Sequence, residues 1–317
     1  MDIKRIQLKS DTKQRDLGRH LHRCRICGQE DLFASYLVRE MQSGTEEEFE
    51  YFVCEHCKCL QIAEIPENLG DYYGEQYFSF RMEDDPNKQF DTPIRNTYRI
   101  LDVGCGSGEW LVRLAEDGCG DCLGCDPFIK RDLRYGDRVY IRKCFIHEIT
   151  GDHSFDYIHM GDSFEHVTDP LDTLKNAQRL LKPGGILEMT LPVYPNVAFD
   201  RFGAHWYQID APRHICLHSP DSLRYLAEQS GMIIDEYYCN STMAEVLVSY
   251  FYQYGVHYPD VTPELIYEHF TQQQIDEIQR DVDENNAKGY GDHAVVFMTN
   301  QQTDVQQESS PEGETWN

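Results

Sequence analysis

Beyond residue 95 the apolar positions fall into two alternating rhythms. Short apolar runs of strand character occur at Tyr98–Val103, Asp121–Cys125, Arg138–Ile141, Phe155–Met160, Gly185–Leu191, Met232–Tyr238 and His293–Met298. Runs with helical spacing separate most of them: Glu109–Asp117 ahead of Gly118, Pro170–Leu181 ahead of Pro183-Gly-Gly185, and Ser219–Ser230 ahead of Gly231. Strands alternating with helices predict an α/β domain over 90–300, built on a doubly wound, mostly parallel sheet of seven strands that binds ligands at the carboxyl ends of its strands. Between the last two strands, residues 242–288 are long and helix-rich and read as an insertion forming a cap or a partner surface. The stretch 301–317 is rich in Gln, Ser, Glu and Pro and reads as a disordered tail.

Ahead of this domain the pattern changes. Residues 1–20 are polar and mixed in charge, and read as a loosely held arm. Residues 21–80 read as a small lobe. In it Cys24-Arg-Ile-Cys27 and Cys54-Glu-His-Cys57 stand 26 residues apart, and Phe33 to Val53 alternates enough to form a hairpin between them. Two CxxC knuckles at such spacing place four thiolates around Zn²⁺, so Cys24, Cys27, Cys54 and Cys57 are expected as ligands of a structural zinc in a zinc-ribbon lobe. The alternative is four reduced, partly buried cysteines. Gly28 follows the first knuckle as a tight turn requires, whereas Lys58 follows the second, and His56 and Cys59 stand by as spare donors. The linker Tyr72-Tyr-Gly-Glu-Gln-Tyr-Phe78 supplies rings that either stack on a substrate or bolt the lobe to the main domain.

Composition narrows the classes of partner. At 317 residues and 40% hydrophobic content the chain holds one large α/β domain and a small appendage. A formal charge of −26 repels a phosphate backbone and argues against nucleic acid, although the same acidity also serves solubility. No apolar run approaches the ~20 residues that cross a bilayer. The polar start Met1-Asp-Ile-Lys-Arg-Ile offers no signal-peptide core, so the twelve cysteines read as thiols or metal ligands in a reducing cytoplasm. A homo-oligomer stays open.

The chemistry concentrates at Ile100-Leu-Asp-Val-Gly-Cys-Gly-Ser-Gly-Glu109, an apolar strand ending in a glycine-rich turn that opens a helix. Gly104, Gly106 and Gly108 let the backbone turn tightly and approach a ligand. A Rossmann dinucleotide fingerprint needs a third glycine where this chain has Glu109. Cys122-Leu-Gly-Cys-Asp126 ends a second strand in a carboxylate placed to grip a ribose. Two carboxylates with three glycines suit an S-adenosyl ligand, which has ribose hydroxyls and an amino-acid tail but no pyrophosphate.

These segments, with Phe155-Asp-Tyr-Ile-His-Met-Gly-Asp-Ser-Phe-Glu-His-Val167 and Leu180-Leu-Lys-Pro-Gly-Gly-Ile-Leu187, resemble the class I S-adenosylmethionine (SAM) methyltransferases over roughly residues 95 to 240. With the cysteine-rich lobe included, the chain is similar to zinc-ribbon methyltransferases of surface-polysaccharide and modified-sugar pathways. The resemblance implies a Rossmann-like sheet and a role for each matching residue. Asp102 organises the glycine loop and faces the methionine amino group, and Asp126 accepts the ribose hydroxyls. The usual adenine-reading acid is missing from Lys143-Cys-Phe-Ile-His-Glu148, which leaves backbone amides near Cys144 and Phe145 to contact the ring. Asp162 joins the cofactor-binding set. Asp162, Glu165 and His166 also match an acid-x-x-Glu-His arrangement that holds a divalent cation in demethylubiquinone-type O-methyltransferases, here Mg²⁺. Without a metal, His166 is a candidate general base.

His205-Trp-Tyr-Gln-Ile-Asp-Ala-Pro-Arg-His-Ile-Cys-Leu-His-Ser219 is dense in His, Arg and aromatic residues within a loop-like region. It nominates His214 as base or substrate ligand, Arg213 as an anion contact, and His205 and Trp206 as pocket wall. The bland reading keeps His214 hydrogen-bonded within the fold. Together these residues predict SAM-dependent methyl transfer to a small polar acceptor, foremost a hydroxyl of a sugar-like intermediate. Transfer to carbon, to nitrogen or to a quinone-like phenol is the alternative, and a non-catalytic SAM-binding scaffold subunit is the reading from another class.

Overall fold

The computed structural model describes residues 16–73 and 78–301. The expected arm over 1–15, Tyr77 of the linker and the expected tail from 302 lie outside the described residues. Four strands form the lobe: β1 (Asp16–Arg23), β2 (Glu30–Arg39), β3 (Glu48–Val53) and β4 (Leu60–Ile62). β2 and β3 make the expected hairpin, with Ala34 opposite Val53 and Arg39 opposite Glu48. β1 begins at Asp16 and pairs along β2, so residues 16–20, expected as part of the arm, belong to the sheet.

The main sheet uses β5 (Asn96–Val103), β6 (Cys119–Cys125), β7 (Leu133–Tyr135), β8 (Val139–Arg142), β9 (Phe155–Gly161), β10 (Leu181–Pro192), and, after a two-residue strand β11 (Cys216–Leu217), β12 (Met232–Cys239) and β13 (His293–Asn300). Its order is β12-β13-β10-β9-β5-β6-β8-β7. It has eight strands where the sequence predicts seven. The extra one, β7, is three residues long and antiparallel to β8, too short to give an alternating signal. β5, β6, β8, β9 and β10 run parallel, and β13 lies antiparallel between β10 and β12.

Helices start and stop where the chain supplies caps. α1 (Glu109–Glu116) follows Gly108 in a left-handed conformation, and α2 (Pro170–Leu180) is capped by Asp169, which accepts the Asp172 amide. A short helix missing from the sequence reading, α3 (Val197–Phe202), is capped by Asn196. α4 (Pro220–Ser230) runs from a Ser219 cap to Gly231 at φ +75°. The 242–288 segment contains α5 (Met243–Tyr252), α6 (Pro263–His269) and α7 (Gln272–Ala287). α5 packs on α3 and on the 207–209 turn, and Val248 and Tyr252 meet Met41 of the lobe.

The lobe is welded to the main domain. β11 leaves the main domain to pair antiparallel with β4, placing Cys216 opposite Gln61 and Leu217 opposite Leu60. The Tyr51 hydroxyl donates to the His214 carbonyl at 2.8 Å, and the Ser219 hydroxyl donates to the Cys57 carbonyl at 2.5 Å. A continuous apolar core runs from Phe33, Tyr51, Phe52, Leu60 and Ile62 of the lobe to Leu101, Ile158 and Met160 of the large sheet. Each such side chain contributes roughly 1.5–3 kcal/mol when buried.

Candidate active site

A cavity of about 420 Å³ opens at the carboxyl ends of β5, β6, β8 and β9, within the size range of small-molecule sites. Gly104, Asp126, Cys144, Phe145, Asp162 and His166, all singled out in the sequence, line it. The carboxylate of Asp126 accepts the Gly106 amide at 2.9 Å and the Phe128 amide at 2.8 Å, so it also holds the glycine loop in shape. Burial pushes the Asp126 carboxyl up, against three backbone amides that pull it down.

The glycines divide by role. At Gly104, φ is +74° and a Cβ would stand 2.5 Å from the Ser163 Cβ, at the cavity wall. Gly106 and Gly108 do not line the cavity. A Cβ on Gly106 would strike the Ser79 carbonyl and one on Gly108 would strike the Ile141 side chain. These two let the protein's own chain close over the loop rather than letting a ligand approach. Ser79 completes that strap by accepting the Ser107 amide at 2.7 Å. Asp102 lies beneath the loop, nearly buried, and pairs with His159 Nδ1 at 2.9 Å. Burial raises its pKa, partly offset by His159. It is not part of the cavity lining.

Behind His166 the structure gathers an unusual set of groups. Glu165 is fully buried, and both of its carboxylate oxygens lack a hydrogen-bond partner among the described residues. His166 Nε2 and His214 Nε2 face the same Glu165 Oε1 at 3.8 and 3.7 Å. His166 Nδ1 sits 2.9 Å from the Arg213 carbonyl and 2.9 Å from the Tyr73 hydroxyl, and His214 Nδ1 lies 2.8 Å from the Gln208 carbonyl. Burial lowers both imidazoles, His166 to about 3, and pushes Glu165 well up. The cation set expected from the sequence is rearranged: Glu165 and His166 join His214, while Asp162 at φ +45° turns to His293 Nε2 at 2.6 Å. Burial raises the Asp162 carboxyl, but His293 outweighs it and leaves the pKa low.

Three expectations for the 205–219 segment change. Arg213 is not an anion contact: it is 1% exposed, and it pairs with Asp210 at 2.6 Å and with Glu40 of the lobe at 2.9 Å. Trp206 is no pocket wall, because it is 1% exposed and donates its indole N–H to Asp292 at 2.8 Å. His205, part-buried in the Gly203–His205 turn, does not line the cavity either. His214 stands behind the cavity rather than in its wall. None of the helical insertion reaches this cavity.

Tyr73, one of the linker rings offered either as a substrate stack or as a bolt for the lobe, joins the wall, bonded to His166 and stacked on Phe128 with ring centroids 4.9 Å apart. The sequence reading missed other wall residues. Ser79, Phe80, Thr168, Asp169 and Asp172 are among the other lining residues. Phe128, two residues past Asp126 at a strand end, carried the only usable signal. His293 reaches Asp162 only by long-range approach.

In the lobe the four knuckle sulfurs lie within 4.8 Å of one another, with Cys24–Cys57 at 3.5 Å and Cys27–Cys54 at 3.6 Å. Four Zn–S bonds of about 2.3 Å in a tetrahedron separate sulfurs by about 3.8 Å, so the set fits such an ion. Gln61 Nε2 donates to Cys24 Sγ at 3.1 Å, and hydrogen bonds from Cys54, Cys57 and others hold the Cys24 thiol below its ordinary value. Lys58 adopts φ +60° where Gly28 adopts +73°, and the two knuckles close with the same amide-to-carbonyl bonds, Gly28 to Cys24 and Lys58 to Cys54. Cys59 and His56 stand outside the cluster.

A family model described as a methyltransferase domain matches residues 73–236, just over half of the chain. Demethylmenaquinone methyltransferase of Staphylococcus aureus (strain MRSA252) is 32% identical over 120 residues, covering 33% of this chain and 49% of that protein. The same enzyme of Staphylococcus haemolyticus is 31% identical over 123 residues, covering 34% and 51%. The chain spans about half the length of these curated relatives. Among solved structures, geranyl diphosphate C-methyltransferase from Streptomyces coelicolor A3(2) has a TM-score of 0.43 at 14% identity, covering 67% of this chain and 73% of that one. The [4+2]-cyclase SpnF has a TM-score of 0.40 at 18% identity, covering 64% and 74%. No described helix is long and apolar enough to cross a membrane.

Proposed function

Since the chain belongs to the methyltransferase-domain family, we propose that it transfers a methyl group from SAM to a hydroxyl oxygen of a small acceptor. The observation that carries this reading is the continuity of one cavity from the Gly104 turn and Asp126 to His166, with Glu165 and His214 behind it. When bound, SAM supplies an electrophilic methyl on sulfonium sulfur. Asp126 binds the ribose hydroxyls while holding the Gly106 and Phe128 amides. Backbone groups at Cys144 and Phe145 meet the adenine, and Asp102 holds the loop from below. Confinement of donor and acceptor in one cavity supplies the in-line alignment that displacement needs. The cluster of His166, His214 and Glu165 stands where the acceptor proton has to be released.

A sugar-like acceptor is favoured by the hydroxyl and carboxylate groups of Thr168, Asp169 and Asp172 in the wall. That fits a place in a surface-polysaccharide or modified-sugar pathway. A quinol-like phenol is the second reading. The relatives named demethylmenaquinone methyltransferase and the Tyr73–Phe128 stack support it. The cysteine cluster serves as a structural zinc site, and the free thiols suit a reducing cytoplasm. Labelled SAM offered with sugar and phenol panels tests the reading. We expect label on oxygen of one class, and a loss of ~10²–10⁴ in turnover with unchanged SAM affinity in His166→Ala and His214→Ala. Full turnover in both variants overturns the proton-handling role.

A further inference from the structure

We propose that Glu165, His166 and His214 form a divalent transition-metal site directly behind the part of the cavity wall that His166 provides. The inference rests on the methyl-transfer reading for its role, but its geometry stands apart from it. A backbone carbonyl only accepts, so an Nδ1 that faces one is assigned the ring proton: His214 toward Gln208, and His166 toward Arg213 with the Tyr73 hydroxyl, also 2.9 Å away, as a second acceptor. In the neutral rings that leaves both Nε2 atoms as bare lone pairs. Both point at the same Glu165 oxygen, and the three ligand atoms lie within 4.8 Å of one another. Three acceptors thus converge at separations too long for a hydrogen bond between them. Other nearby carboxylates each have a cationic partner: Asp210 and Glu40 share Arg213, whose single charge leaves the trio net negative, and His293 pairs with Asp162; Asp210 Oδ2 also lies 3.8 Å from His214 Nε2. Among the described residues Glu165 is the buried carboxylate whose oxygens have no hydrogen-bond donor, a costly arrangement that a bound cation resolves.

The donor set selects the cation. Two imidazoles and one carboxylate suit Zn²⁺, Fe²⁺ or Mn²⁺ better than Mg²⁺, which prefers oxygen ligands and water. The carbonyls on both Nδ1–H groups are the outer partners that fix a ligating histidine's tautomer and orientation. Three protein ligands leave a fourth position, and His166 is shared between this cluster and the cavity wall. An acceptor hydroxyl reaching that position past His166 would have its pKa lowered by the cation and would release its proton through the cavity to solvent. The resulting oxygen attacks the methyl carbon, a C–O bond forms, the C–S bond breaks, and its electron pair stays on sulfur to give neutral S-adenosylhomocysteine.

Co²⁺ titration of the full-length protein after metal stripping tests the site. Cobalt in the cysteine cluster gives an intense thiolate charge-transfer band, whereas cobalt on nitrogen and oxygen ligands gives only weaker visible bands. The wild type is expected to show both. Glu165→Gln and His214→Ala are each expected to lose one cobalt equivalent and the weaker bands, while keeping the thiolate band and S-adenosylhomocysteine binding. Equal cobalt stoichiometry in wild type and both variants overturns the proposal, as does a wild type that shows thiolate bands alone, which assigns the cluster to a proton or a water. Should a variant lose S-adenosylhomocysteine binding, the wild-type spectrum decides. A second cobalt site in a wild type that fails to bind SAM upholds the metal and sinks the methyltransferase reading. SAM binding without that site does the reverse.

Discussion

Asp126 shows how one side chain carries two duties. Its oxygens hold the amides of Gly106 and Phe128, and it lines the cavity where a ribose is expected. Asp126→Ala therefore removes ligand bonds and loosens the loop together. A hydrogen bond to a charged group contributes about 1.5–3 kcal/mol, so calorimetry is expected to show S-adenosylhomocysteine binding weakened at least tenfold. Unchanged affinity would contradict the ribose assignment. Arg213 teaches the opposite lesson. In the sequence a cation amid histidines and aromatics looks like a ligand contact, but its decisive partner Glu40 lies 173 positions away. Asp162 is matched by His293 across 131 positions. Local composition cannot distinguish a pocket charge from a buried ion network, because both concentrate the same residue types.

At the scale of elements, the readable parts were short, mainly apolar stretches of strand character and helically spaced apolar positions ending at glycine or proline, which recovered β5, β6, β8, β9, β10, β12 and β13 with α1, α2 and α4. β7 and β11 escaped, being three and two residues long. β11 matters most, since it joins the lobe sheet to the segment that bears His214. Tyr51→Phe deletes the bond to the His214 carbonyl and leaves a buried acceptor unsatisfied, costing about 1–3 kcal/mol. The expected outcome is a lower kcat with S-adenosylhomocysteine affinity unchanged. Equal kcat would show that the lobe does not position His214. Likewise Cys24→Ser with Cys54→Ser is expected to lower both metal content and thermal stability, read by elemental analysis and calorimetry. Full zinc occupancy in that double variant would exclude the cysteine site.

For the whole molecule, acid sensitivity follows from buried neutral imidazoles. Burial lowers His218 to about 3 from an ordinary value near 6.5, so the unfolded chain binds its proton first. Its contribution to stability is full above pH ~6.5 and is lost as pH falls toward 3, amounting to a few kcal/mol. The carboxylates add to the acid limb. Burial raises Glu40, but the Ser43 amide and Arg213 outweigh it and hold it low, so its contribution is present above pH ~4.3 and lost below. His218→Phe, which keeps the ring packed on Phe164, is expected to flatten the loss of denaturation midpoint between pH 6.5 and 4.5. An unchanged slope would mean that His218 is not the sensor. The sheet order, the cavity at its strand ends and the family match all bear on one claim, that this cavity is a SAM site. Calorimetric titration of the wild type with SAM, S-adenosylhomocysteine and NAD tests it most directly. The account predicts one saturable site per chain for the two sulfur ligands and no heat with NAD. Binding of NAD with no response to SAM or S-adenosylhomocysteine would contradict it.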